Sequence, residues 1–210
     1  MVAIPKASFF FGNQDQPKYI TNCFYCPDGY LPNNATVPTT ATRVYYTPFA
    51  VHSSHTFQGV SCFNQSAGDN GELIRMMVFT SIDGAVGTLV KDFGEITLTG
   101  ASALRTLTSS WAASPGTYWM GHWFNSATDM YGMLPITVAT AVGAVHGPTM
   151  SHMIGNFTSN LNAGAGTIAA AHYVDTTYGA APGTAVAPTA TLSLTNLSTT
   201  ALVPAWALKA

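Results

Sequence analysis

The apolar residues between positions 71 and 124 fall into short runs that are separated by turn residues at nearly regular spacing. No run is longer than a strand, and no heptad repeat is present that would build a coiled-coil shaft. The run at 73–79 is apolar on both faces, which is typical of a strand covered on both sides. This rhythm predicts an antiparallel β-sandwich.

Turn residues and alternating positions mark further strands in this stretch. Asp83 and Gly84 form a predicted turn after the first run, and Pro115 with Gly116 form another. Between them, residues 95–99 alternate between apolar and polar side chains, as a half-buried strand does. Residues 117–124 are dense in aromatic side chains, which favours a central strand that anchors the core, with His122 buried in it.

Weaker patterns predict strands on both sides of this stretch. Pro48 and Pro204 each favour an edge position for the strand that contains them, because proline cannot donate a ladder hydrogen bond. These additional predicted strands cover residues 43–51, 57–63, 130–137, 166–174, 191–195 and 202–208.

The first 40 residues differ from the rest because five prolines interrupt their apolar patches. That spacing excludes a helix and predicts an extended N-terminal arm over residues 1–40, followed by a sandwich domain over residues 41–210. Phe9, Phe10 and Phe11 form an apolar cluster that requires a covering surface, so they are the candidate residues for attachment to another protein. The alternative is that the arm packs on its own sandwich.

The order of the runs and turns also carries a resemblance. The segments concerned are 46–49, 74–79, 83–84, 87–90, 93–94, 115–119 and 204–208. Their succession resembles a β-sandwich domain found at the C-termini of tail-fibre and head-fibre proteins of tailed bacteriophages, and it covers residues 43–210. The resemblance implies an all-β, jelly-roll-like antiparallel β-sandwich. It also implies a structural protein of the virion surface, a tail-fibre, tail-tip or head-fibre component that forms a homotrimer with other virion proteins as partners. A capsid decoration protein is the alternative, and a small glycan hydrolase is a remote one.

The composition is poor in charge, which agrees with a surface that neighbouring chains cover. Charged residues make up 8% of the chain, against roughly 25% in ordinary soluble proteins. The formal net charge of -2 argues against nucleic-acid binding, which depends on clustered basic side chains. No apolar run reaches the ~20 residues of a membrane span, and no signal peptide is recognised, so we expect synthesis in the host cytoplasm, location in the virion and no membrane insertion.

Few residues carry a pattern that indicates chemistry. Cys23 and Cys26 have the spacing of a zinc-binding pair, and His52 and His55 are weak candidates for a second pair, but the histidine spacing is tighter than usual. We therefore predict free thiols, no metal and no cofactor. Aspartates beside glycine, at positions 28, 69 and 83, are typical of turns, although residues 69–72 could also supply oxygen ligands to calcium. No pair of catalytic carboxylates stands out, so the prediction is a protein that is not an enzyme.

Aromatic side chains on loops can bind sugars through stacking and hydrogen bonds. Trp111, Trp123 and Trp206 are accordingly the candidate residues for contact with a host surface glycan. The alternative is that these tryptophans belong to the core.

Overall fold

The computed structural model describes residues 19–27, 30–41, 43–65, 70–82, 85–99, 103–135, 168–179, 190–194 and 203–210. In these ranges the regular structure consists of β-strands, without a helix. The strands are β1 (Phe24–Tyr25), β2 (Tyr30–Pro38), β3 (Arg43–Val51), β4 (His55–Asn64), β5 (Asn70–Ile82), β6 (Ala85–Thr99), β7 (Ala103–Ala113), β8 (Gly116–Phe124), β9 (Asp129–Pro135), β10 (Ile168–Asp175), β11 (Ala190–Leu194), β12 (Val203–Pro204) and β13 (Trp206–Lys209).

The strands form two antiparallel sheets. The first sheet has the order β1-β13-β4-β9-β12, with β2 also paired to β9 and β7 also paired to β4. The second sheet has the order β11-β10-β3-β8-β5-β6. Since the two sheets pack face to face, the predicted all-β antiparallel sandwich is confirmed.

The principal core lies between the sheets. Alternate residues of β3, β5 and β8 face alternate residues of β4, β7 and β13, as the two-residue period of a strand requires. The largest of these side chains that are fully buried are Phe49, Phe57, Ile74, Met76, Met120, Phe124 and Trp206.

Strand β5 is buried on its other face as well, which confirms the prediction for residues 73–79. Met77 and Phe79 belong to a second cluster, on the opposite side of the second sheet from the principal core. They pack there with Val44, Tyr46, Trp119, Trp123 and Val174. The second sheet is therefore apolar on both of its faces.

Strand β6 is one strand of 15 residues, whereas the sequence pattern predicts two shorter strands, at 88–90 and 95–99. Its break in alternation is a β-bulge: Met76 lies opposite Gly94 and Met77 lies opposite Asp92, so Phe93 is the extra residue. Gly94 has φ +98°, which favours glycine, and its amide donates to Asp92 Oδ1 at 2.9 Å. The bulge shifts the alternation without ending the strand.

Pro48 lies in an interior strand and not in an edge strand, which corrects the sequence prediction. β3 pairs with β8 from Val44 to Val51, but with β10 only over its first four residues. At Pro48 the strand thus has one hydrogen-bonded neighbour. The amide hydrogen that proline lacks is therefore not needed by a strand on the other side.

The structure extends the sandwich into the segment assigned to the arm. β1 pairs with β13, and β2 pairs with β9 from Tyr30 to Pro38, with a register shift between Asn33 and Thr36. Thr39 is buried after β2, where its hydroxyl donates to the Thr128 carbonyl at 3.0 Å. The sandwich therefore begins before the predicted boundary at residue 40. Phe9, Phe10 and Phe11 lie outside the residues that the structure describes, as do Asp28, Asp69, Asp83 and Gly84.

Candidate functional site

A cavity of about 90 Å³ lies at one end of the sandwich, and we call it the aromatic pocket. Five rings line it: Tyr19, Tyr25, Phe49, Phe57 and Trp206. Its lining also includes Cys26, Pro27, Ala50, His52 and Leu208. These residues come from both sheets and from the segment before β2, so the whole fold is needed to assemble the pocket.

Strand pairing fixes the rings of the pocket. Tyr25 lies opposite Leu208 in the β1–β13 pair, and Trp206 lies opposite Cys62 in the β13–β4 pair. The Tyr19 ring is 4.9 Å from those of Tyr25 and Phe57, in edge-to-face contacts. Phe49 and Trp206 make a similar contact at 5.0 Å. Such arrangements are favourable for aromatic pairs and make the wall rigid.

Two tyrosine hydroxyls tie the segment before β2 to itself and to the sandwich. The Ile20 amide donates to the Tyr25 hydroxyl oxygen at 2.5 Å, and the His52 amide donates to the Tyr19 hydroxyl oxygen at 3.3 Å. Burial among the pocket residues raises the pKa of the Cys26 thiol, although part of the side chain is exposed. The thiol therefore stays protonated and neutral at neutral pH.

The structure brings most of the candidate metal ligands to this end of the sandwich. Cys26 and His52 both line the pocket, and the His55 ring lies 5.0 Å from those of Tyr19 and Phe57. Cys23 is exposed and does not line the pocket. In the part of the chain that the structure describes, no three or more His, Cys, Asp or Glu residues form a group that could hold a metal ion. The cysteines at 23, 26 and 62 are free thiols.

The three candidate tryptophans are buried, which corrects the prediction that they contact a receptor. Trp111 is 7% exposed and stacks on Phe57 at 5.8 Å, and Trp206 is 0% exposed. Trp123 is 4% exposed, and its Nε1 donates to the Thr176 carbonyl at 3.4 Å. On these strands the large apolar area of tryptophan favours burial over exposure.

The structure also contains a polar site that no sequence motif indicated. We call it the Arg75 cluster, and it consists of Arg75, Asp92, Glu95, Tyr178 and Gly179. The guanidinium donates to Asp92 Oδ2 at 2.6 Å, to Glu95 Oε1 at 3.4 Å and to the Gly179 carbonyl at 3.0 Å. The Tyr178 hydroxyl donates to Glu95 Oε1 at 3.0 Å. Burial, together with this bond to Glu95, raises the pKa of Tyr178.

The Arg75 cluster ties residues 176–179 to the outer face of the second sheet. Both carboxylates of the cluster bind the same guanidinium. The cluster therefore holds residues 176–179 on the sheet and does not present an acid and a base to a substrate. The signal in the sequence was the single charged residue in the otherwise apolar run 73–79. Its partners come from β6 and from the segment after β10, which no local pattern connects to it.

His122 is the most strongly perturbed titratable group on β8. It is fully buried, as predicted, and burial lowers its pKa to about 3, with a weaker opposing effect from the backbone of Tyr45. Burial likewise raises the pKa of Cys62 to about 12. Both groups are neutral at neutral pH, so the core carries no charge at these positions.

Comparison with known proteins identifies no relative: no family, curated protein or solved structure matches the sequence. Among the residues described here, no helix is long and apolar enough to cross a membrane. Function must therefore be argued from the residues themselves.

Proposed function

We propose that this chain is a structural protein of the virion surface of a tailed bacteriophage, a tail-fibre, tail-tip or head-fibre component that assembles as a homotrimer. Two lines of support are independent of each other. One is the resemblance in the order of strands and turns. The other is a property of the surface, which carries the proposal.

The outward face of β7 has no charge. Its exposed residues are Leu104, Thr106, Thr108, Ser110 and Ala112, and Leu104 is 43% exposed. The strand's charged residue, Arg105, belongs to the opposite face. Among the described strands, β7 pairs only with β4, so no described strand pairs with its other edge. Edge strands of monomeric proteins commonly carry charges that prevent pairing with other chains, and the outward face of β7 carries none.

An edge strand of 11 residues whose outward face is uncharged is suited to contact with a copy of the same chain. Closed symmetry would let each copy cover the face of its neighbour, and a three-fold assembly is the arrangement that the fibre resemblance implies. Close to β7, the Lys91 ammonium donates to Ser109 Oγ at 2.7 Å, and Ser109 lies on the inward side of the strand. Because Arg105 also lies on the inward side, burying the outward face of β7 would bury no charged side chain of this strand.

The segment with Phe9, Phe10 and Phe11 is proposed to attach the trimer to another virion protein, and a host surface glycan is the proposed external partner. Antibody labelling of intact particles tests the location. Label on a tail or head fibre supports the proposal, whereas label spread over the capsid shell favours the decoration protein. Absence of the chain from purified particles contradicts both.

A further inference from the structure

The lining of the aromatic pocket favours a neutral ligand. None of its ten lining residues is Asp, Glu, Lys or Arg. The Cys26 thiol is kept neutral by its raised pKa. A charged group that entered would lose its hydration and find no opposite charge, which costs several kcal/mol.

The volume of the pocket limits the part of a ligand that can enter. A closed cavity of about 150 Å³ can hold a benzene ring, and the pocket is smaller, at about 90 Å³. It therefore accepts a group of a few heavy atoms, while the rest of the ligand stays outside. The exposed residues Cys26 and His52 mark the side that faces solvent.

The lining also carries polar groups: the Tyr19 and Tyr25 hydroxyls, the Cys26 thiol and the His52 imidazole. The Tyr25 hydroxyl oxygen accepts a hydrogen bond from the Ile20 amide, so its own proton is directed elsewhere and can be donated to an acceptor. The rings of Phe49, Phe57 and Trp206 offer apolar contact beside it. An acetyl group fits both features, because its methyl group can contact the rings while its carbonyl oxygen accepts a hydrogen bond from the hydroxyl.

We propose that the aromatic pocket binds the acetamido group of an N-acetylated sugar in a glycan, with the methyl group against the rings and the carbonyl oxygen accepting from Tyr25. The sugar ring would remain at the mouth, beside His52. An acetylated lysine side chain has the same terminal group, but its flexible methylene chain would lose more conformational freedom on binding than a rigid sugar ring does. The role of such binding in host contact rests on the proposed function, whereas the binding itself does not.

The test uses the purified chain and measures saturation-transfer NMR and titration with N-acetylglucosamine, glucose and N-acetyl-lysine. We expect the acetamido methyl to receive the strongest saturation and glucose to bind at least tenfold more weakly. Tyr25→Phe should weaken binding of N-acetylglucosamine about threefold to tenfold, the effect of one lost hydrogen bond. Cys26→Phe should block the pocket, and Cys23→Phe, at an exposed cysteine outside it, is the matched control.

Equal binding of glucose and N-acetylglucosamine would overturn the inference, as would binding of N-acetyl-lysine alone. Unchanged binding in Cys26→Phe would also overturn it. Circular dichroism checks that each variant is folded, and Tyr25→Phe, which removes one oxygen atom, decides the matter if Cys26→Phe does not fold. Because no particle is involved, failure here leaves the proposed virion location untouched, and failure of particle labelling leaves this result untouched.

Discussion

The imidazole of His122 and the indole of Trp206 face each other across the core, with ring centroids 6.1 Å apart. His122 belongs to β8 of the second sheet and Trp206 to β13 of the first, and both are fully buried. Within the described part of the protein, neither His122 ring nitrogen nor Trp206 Nε1 has a hydrogen-bond partner of ordinary geometry. The contact thus joins the two sheets through polar rings in an apolar setting, where protonation of His122 is strongly disfavoured.

This environment predicts that the protein loses stability as the pH falls. The pKa of His122 is about 3 in the folded state and 6.5 in its ordinary state, so below pH 6.5 the unfolded chain binds a proton that the folded chain does not. The contribution of neutral His122 to stability is fully present above pH 6.5. It decreases by about 1.4 kcal/mol per pH unit down to about pH 3. Urea titrations at pH 6.5 and 4.5 should show His122→Phe losing about 2 kcal/mol less than the wild type. Equal losses would contradict the assignment.

Trp119 should be essential to the second cluster. It is 1% exposed and packs with Tyr46, Met77 and Phe79 on the outer face of the second sheet. Trp119→Ala should lower the free energy of unfolding by about 3–5 kcal/mol, because a large cavity would form. Val90→Ala, at a residue 42% exposed, is the control and should cost less than about 1 kcal/mol. A small loss for Trp119→Ala in denaturant titration would show that the second cluster contributes little.

The Arg75 cluster should stabilise the fold more than the other arginine pair does. The Arg75 and Asp92 side chains are 19% and 26% exposed, while Asp175, the partner of Arg43, is 60% exposed. Arg75→Met should therefore cost about 1–3 kcal/mol, and Arg43→Met about 1 kcal/mol or less. Hydrogen exchange should also become faster at residues 176–179 in Arg75→Met alone. If both variants lost the same stability and exchange stayed slow, the cluster would not hold that segment.

The strands that the sequence predicts well are those whose apolar pattern is set by burial. β3 and β8 match their predicted ranges closely, because their side chains are apolar and aromatic on both faces. β7 was not predicted, because its inward residues include Arg105 and Ser109, so that the alternation of apolar and polar side chains is lost. Burial there is decided by the neighbouring strand β4 and not by the local sequence.

The candidate site was only partly predictable for the same reason. Cys26, His52 and His55 drew attention through their spacing, and they do lie at one end of the sandwich. What the spacing did not indicate is that aromatic rings from positions 19–57 and from Trp206 surround them. The pairs β1–β13 and β13–β4 create that neighbourhood, and they join residues far apart in the chain.

A positive charge on the outward face of β7 should weaken self-association. Thr108→Lys places an ammonium group in the middle of the uncharged face, where a neighbouring copy would have to bury it. Light scattering should show a shift from trimer to monomer for this variant, with an unchanged circular dichroism spectrum. Thr97→Lys, at an exposed position of β6, is the matched control and should remain trimeric. A trimer that persists in Thr108→Lys would place the interface elsewhere.

Removal of residues 1–18 should separate attachment from folding. The described chain begins at Tyr19, and β1 and β2 follow it, so this deletion leaves every described strand in place. The shortened protein should keep its melting temperature and its trimer, yet fail to enter particles, because Phe9, Phe10 and Phe11 are lost.

Deletion of residues 1–38 should behave differently, because it removes the partner strands of β13 and β9. Its melting temperature should fall by about 2–4 °C for each kcal/mol lost. Scanning calorimetry and particle incorporation measure both effects. Incorporation of the 1–18 deletion would show that the phenylalanines are not the anchor, and a lower melting temperature for it would show that they belong to the fold.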